Sequence, residues 1–201
     1  MVVMPPIITV GSVRYRALLD EHRAAVVRMG IRMSVDAAEE EYCQAWARQC
    51  YSNRGAPSGR GEVWGTQATD PSWIERNYIG IKGTRAVVRA LGGIVLCTPL
   101  EPDPGEDVRL AHGTYEVKTR QGFLTPQTVL THTIGGTTAP RCRADVPMVL
   151  VNTIPGTLDV VLCGWITKAS FLVQMFRCRF NGRPCYGVTA AALQSVEMLR
   201  P

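Results

Sequence analysis

Over residues 73–91 the apolar and aromatic side chains Ile74, Tyr78, Ile81, Val88 and Leu91 recur at three- and four-residue steps, one stripe of a helix. Thr84 fills the gap in that stripe between Ile81 and Val88, and Gly92-Gly93 ends the helix. Beyond it the period shortens. Residues 94–100 form an apolar strand, and Pro102-Asp103-Pro104-Gly105 is a turn cluster. Residues 107–110 and 114–120 pair as a hairpin. Residues 148–153 and 159–167 are further strands around the Pro155-Gly156 turn, the second apolar enough to be buried on both faces. Residues 168–177 read as a closing helix. Upstream, residues 13–29 and 34–51 each read as a helix, with Leu18, Leu19, Val26 and Met29 packed inward. Ser34 serves as N-cap of the second, with Glu39-Glu40-Glu41 on its solvated side. The pattern predicts an α/β (α+β) protein: a helical extension over residues 1–70 packed on a core over 71–201, with no independent second domain.

Composition narrows the class. At 201 residues, 46% apolar and 19% charged, the chain can bury a core of its own. Twenty-two basic against 17 acidic residues give a net charge of +5, a modest bias toward polyanions. Lysine occurs only at Lys82, Lys118 and Lys168, and arginine supplies the rest. That excess fits phosphate gripping or plain GC-rich codon usage, and it makes each lysine more informative. The seven cysteines are scattered, odd in number and without zinc spacing, which suits reduced thiols in a cytoplasm. Cys97 and Cys163 fall in apolar strands as small core residues. The apolar N-terminus is short, lacks a basic lead and holds two prolines, so it makes a poor signal peptide. No apolar run approaches the ~20 residues of a membrane span. Residues 52–61 read as a solvated linker, and Trp46, Trp64 and Trp73 as plugs between extension and core.

The chemistry concentrates in Tyr115-Glu116-Val117-Lys118. A strand points alternate side chains to opposite faces, so Glu116 and Lys118 project together while Tyr115, Val117 and Thr119 point into a core. A turn at Ala111-His112-Gly113 brings Asp107 near Glu116. Two carboxylates and an amine on one sheet edge suit a divalent metal beside a phosphodiester. Glu-x-Lys is also common on the wet face of an ordinary sheet. Arg120 continues the Glu116 and Lys118 face, and with Arg109 and Lys82 makes a candidate basic rim for nucleic acid. His112 needs no function as a turn residue, although beside a phosphate it could assist proton transfer. His22, His112 and His132 are not spaced for a shared metal. A nucleophile-elbow pattern is missing, and Gly135-Gly136-Thr137-Thr138 lacks the lysine of a phosphate-binding loop.

A helix, a strand, an Asp-bearing strand and then a Glu-x-Lys strand resemble the core of the PD-(D/E)XK nucleases, the restriction-endonuclease-like fold. More narrowly, residues 73–201 resemble a group of small phage-encoded proteins through Gly80-Ile81-Lys82-Gly83-Thr84, Asp107-Val108, Tyr115-Glu116-Val117-Lys118-Thr119 and Gly164-Trp165-Ile166. The resemblance implies a mixed central sheet flanked by helices and a DNA-cleaving activity in the host cytoplasm. Asp107 and Glu116 would hold magnesium or manganese, with the Val117 carbonyl as a further ligand and Lys118 orienting water. Self-association or another phage protein would be further partnerships. The chain departs from the pattern at Thr84, where the resembling proteins carry a metal-binding glutamate. Asp107 and Glu116 remain the only charged ligands unless Glu62, Glu75 or Asp103 substitutes. A catalytically degenerate DNA- or protein-binding protein on the same scaffold is the alternative.

Overall fold

The computed structural model describes residues 7–9, 11–53, 71–97, 106–121, 127–134, 137–140, 146–180 and 183–201. In chain order these hold β1 (Ile7–Ile8), α1 (Val13–Met29), β2 (Ile31–Ser34), α2 (Ala37–Asn53), α3 (Pro71–Leu91), β3 (Ile94–Val95), β4 (Val108–Leu110), β5 (Gly113–Gln121), β6 (Gln127–Ile134) and β7 (Thr137–Pro140). There follow β8 (Met148–Thr153), β9 (Asp159–Ile166), α4 (Lys168–Gln174), β10 (Phe176–Phe180), β11 (Arg183–Val188) and the 3-10 turns Ala190–Ala192 and Val196–Leu199. One sheet runs β2-β9-β8-β5-β4-β3 and the other β1-β10-β11-β6-β7. The class is mixed α/β, as the pattern predicts.

In the first sheet β5 and β8 are parallel and the remaining neighbours antiparallel. A parallel pair needs a crossover, and here the intervening chain passes through β6 and β7 of the other sheet. Both faces of this sheet are covered. α3 packs on one face, where Val87 and Leu91 meet Val108, Tyr115, Val117, Val149 and Leu162. On the other, Ala25 and Val26 of α1, Phe171 of α4 and Tyr186 of β11 meet Met148, Leu150 and Cys163. Every residue of β8 is therefore buried, which is why Met148–Val151 run apolar without alternation.

Several expectations need correction. Residues 31–34 are a strand, not the start of a helix, and they pair with β9, so the N-terminal segment supplies part of the core sheet. α2 starts later and is capped by Asp36, whose Oδ1 accepts the Glu39 N–H at 2.9 Å. The predicted closing helix stops at Gln174. Met175 is extended and Phe176-Arg177-Cys178-Arg179-Phe180 continues as β10, an alternating pattern that favours a strand. The strand predicted over 94–100 is described only as Ile94–Val95. Trp64, Glu62, Asp103, the turn at 102–105, Gly135-Gly136 and most of the 52–61 linker lie outside the described residues.

The acidic run at the start of α2 is not solvated as a whole. Asp36 pairs with Arg89 at 2.7 Å, Glu39 with Arg85, and Glu40 with Lys82 at 3.0 Å. Lys82 is only 2% exposed, and its ammonium also donates to the Thr157 carbonyl at 3.1 Å. α3 therefore buries two lines of residues. Tyr78, Lys82 and Arg85 face α2, with Arg89 exposed at the end of that line, while Gly83, Val87 and Leu91 face the sheet. Gly92, at φ +77°, closes the helix by donating its N–H to the Val88 carbonyl at 2.8 Å. Among the described residues no helix is long and apolar enough to cross a membrane.

A carboxylate–lysine pair on strand β5

Alternation along β5 divides its side chains as the sequence dictates. Tyr115 and Val117 are buried against α3, and Glu116, Lys118 and Arg120 project to the other face. Glu116 is 8% exposed, and one carboxylate oxygen, Oε1, accepts from the Lys118 ammonium. The other, Oε2, is enclosed and accepts no hydrogen bond among the described residues. Lys118 is the more open partner, its side chain 32% exposed. The cross-strand pair Val108–Tyr115 sets the register, which puts Asp107 opposite Glu116.

Asp107 stands one residue before β4. Its N–H donates to the Tyr115 carbonyl at 2.9 Å, and its Oδ2 accepts the Val117 N–H at 2.6 Å. The carboxylate thus replaces the strand at the point where β4 leaves β5. In an extended chain the N–H and C=O of one residue share an edge, so the Val117 carbonyl opens where the Asp107 carboxylate lies. Glu116 in turn donates its N–H to the Pro147 carbonyl on the opposite edge. Glu116 and Lys118 are thereby brought into contact, and Asp107 is tied to the amide between them.

The remaining sequence candidates divide. Arg109 is exposed and pairs with Thr114, on the Glu116 face of the hairpin, and Arg120 is half-buried two residues beyond Lys118. Lys82 does not belong to any rim. It is buried against α2, because Glu40 and the Thr157 carbonyl offer a closed site for its charge. Thr84 does not line the floor of the site. It is buried on α3, where its hydroxyl donates to the Gly80 carbonyl at 3.1 Å. Its neighbour Gly83 lies so close to Thr119 that a Cβ would come within 2.7 Å of the threonine Cγ2. Thr119 faces away from Glu116, and α3 with it. His112 bonds through Nε2 to the Arg200 carbonyl at 3.1 Å, which ties the hairpin turn to the C-terminal segment. Glu75 is exposed on α3 and takes no part.

The donor set fits a hard divalent cation in kind: two carboxylates, one with an unsatisfied enclosed oxygen, and a main-chain carbonyl. It is sparse, since no group of three or more His, Cys, Asp or Glu forms a metal cage among the described residues. Sequence reasoning missed Asn152, a fully buried polar residue on the same sheet face. Its Nδ2 donates to the Arg120 carbonyl at 3.4 Å and its Oδ1 accepts from Cys163 Sγ at 3.0 Å. Asparagine within the apolar run Met148–Thr153 was the available signal. Burial pushes the Cys163 thiol up to about 12, so it is not a nucleophile at neutral pH. Compared with known proteins, the chain matches no family model, no curated protein and no solved structure.

Proposed function

We propose that the chain is a PD-(D/E)XK-type deoxyribonuclease of phage origin, dependent on magnesium or manganese. The observation that carries this is the Glu116–Lys118 contact with Glu116 Oε2 left unsatisfied, beside an Asp107 carboxylate fixed on the Val117 amide. The element order of α3, β3, an Asp-bearing approach to β4 and a Glu-x-Lys β5 supports the restriction-endonuclease-like fold. Asp107, Glu116 and the Val117 carbonyl would hold the cation, which would supply positive charge beside the phosphate and lower the pKa of a water. Lys118 orients the attacking water and balances charge that develops on the phosphate oxygens. The water oxygen bonds to phosphorus as it gives up a proton to solvent, one ester P–O bond breaks, and the departing oxygen takes up a proton from solvent. Arg109 and Arg120 hold flanking phosphates.

Thr84 favours a second reading, a DNA- or protein-binding protein that has lost catalysis, because its side of α3 offers the site no third carboxylate. Titration calorimetry with manganese decides between them, alongside cleavage of mixed DNA forms. Glu116→Gln keeps the shape and removes the charge. It is expected to weaken manganese binding by on the order of tenfold or more and to lower cleavage about a hundredfold, with an unchanged circular dichroism spectrum. Manganese binding that ignores Glu116→Gln, with no cleavage by the wild type, overturns the nuclease reading.

A further inference from the structure

We propose that Cys178 and Cys185 are a redox-sensitive dithiol, closing into a cross-strand disulfide under oxidation and opening again on reduction. In the β10–β11 ladder these two residues are direct register partners. Opposite residues of an antiparallel pair have Cα atoms about 4.5 or 5.5 Å apart, according to whether they exchange hydrogen bonds. Both values fall within the range of about 4.4–6.8 Å that a disulfide spans. The backbone spacing therefore suits the bond with either kind of pair. The register has its own support in the sequence. The last pair of the ladder is Phe180–Arg183, and Asn181-Gly182 between them is the dipeptide that two-residue hairpins favour most. Loop length fixes register in a hairpin, and a slip of one residue would set Cys178 against Pro184 or Tyr186 instead.

The pair lies in one row across the second sheet, where Ile8, Cys178, Cys185 and Leu130 follow one another on β1, β10, β11 and β6. Closure clamps β10 to β11 within that row. β11 leads directly into Thr189 and Ala190, which bond to Glu21 and His22 of α1, so the clamp braces the strand that anchors the first helix. Cys43 and Cys163 compete poorly for an oxidant. Burial pushes both thiols up to about 12, and the thiolate is the reactive form. The oxidant is a small disulfide of the glutathione class. One cysteine attacks a sulfur of that disulfide, which forms a mixed disulfide and releases one small thiol. The second cysteine then attacks the mixed bond, forming the cross-strand S–S bond and releasing the other small thiol. Each attacking thiol gives up a proton and each released thiolate takes one up. The protein dithiol is oxidised as the small disulfide is reduced.

The test equilibrates the full chain in buffers of graded reduced and oxidised glutathione, then alkylates it and digests it with trypsin. Cleavage after Arg177 and Arg179 separates the two cysteines, while Pro184 and Pro201 protect the bonds after Arg183 and Arg200. A closed pair therefore leaves residues 178–179 linked to 180–201. Mass spectrometry is expected to find that linked product at the oxidised end and both cysteines alkylated at the reduced end. The thermal midpoint is expected to rise by about 5 °C on oxidation, and Cys185→Ser to lose that rise. Both thiols remaining open to alkylation at every glutathione ratio overturns the proposal. So does linkage of Cys178 to Cys142 in place of Cys185, or a linked product that persists in reduced glutathione.

Discussion

Thr84 and Glu116 are both buried polar residues, and they serve opposite faces of the same sheet. The helical stripe places Thr84 inward correctly. Periodicity on α3 does not say which face of β5 that helix covers, and the face turns out to be that of Val117 and Thr119. This has a direct consequence for restoring the missing carboxylate. Thr84→Glu is expected to leave manganese affinity unchanged and to destabilise the fold by about 2–4 kcal/mol, because it buries a carboxylate without a cationic partner. Calorimetry and urea denaturation measure the two effects separately. Tighter manganese binding in Thr84→Glu would contradict the placement of α3. The Asp107, Glu116 and Lys118 group was legible because alternation in a strand is strict and the hairpin fixes its partners. Lys82 was not legible as a buried residue, because proximity to Thr84 in sequence says nothing about α2.

Between elements, the α2–α3 contact is a ladder of three ion pairs. Asp36, Glu39 and Glu40 descend one helix as Arg89, Arg85 and Lys82 ascend the other. Only the Glu40–Lys82 rung is enclosed, with side chains 16% and 3% exposed. The Asp36–Arg89 rung is exposed and contributes little, as exposed pairs generally do, whereas Glu39–Arg85 is partly buried with Arg85 gripping both carboxylate oxygens. Removing one partner of an enclosed pair strands the other charge. Lys82→Met is therefore expected to cost about 3–5 kcal/mol, and Lys82→Met with Glu40→Leu to recover most of it. Chemical denaturation of the single and double variants checks this; equal losses in both would show that the charge pair is not the cause. An acidic stretch at the head of a helix looks solvated in sequence because the helix dipole alone accounts for it. The antiparallel match to the basic residues of α3 was present in the chain. It becomes readable only once the two helices are known to touch.

Across the whole molecule, His22 joins the first helix to the last turns of the chain. It is fully buried, and its Nδ1 accepts the Ala190 N–H at 2.9 Å, which requires a neutral ring. Next to it, Thr189 Oγ1 donates to Glu21 Oε1 at 3.0 Å. Burial pushes the His22 imidazole down to about 4, and the charges of Arg23 and Arg120 act in the same direction while the neighbouring Asn152 amide opposes them. Below the ordinary imidazole value of 6.5 the unfolded chain binds a proton that the folded chain refuses. Stability therefore falls as pH drops from about 6.5 toward 4. The expected loss between pH 7 and pH 5 is about 2 kcal/mol, read from urea midpoints. His22→Asn should be less stable at pH 7 and flatter across that window. A wild-type midpoint that stays constant over the same range would count against the buried neutral ring.

The antiparallel seam between β2 and β9, with Ile31 opposite Leu162 and Ser34 opposite Asp159, also sets a timetable for synthesis. Ribosomes deliver the early strand long before its partner, and at ordinary elongation rates the interval is on the order of ten seconds. Throughout that interval the nascent segment carries Ile31 and Met33 with one edge of backbone unpaired, a template for any other extended chain nearby. The sheet that bears Glu116 consequently closes only once β9 has been synthesised, and slow codons between positions 34 and 159 should lower the yield of folded protein without altering a single residue.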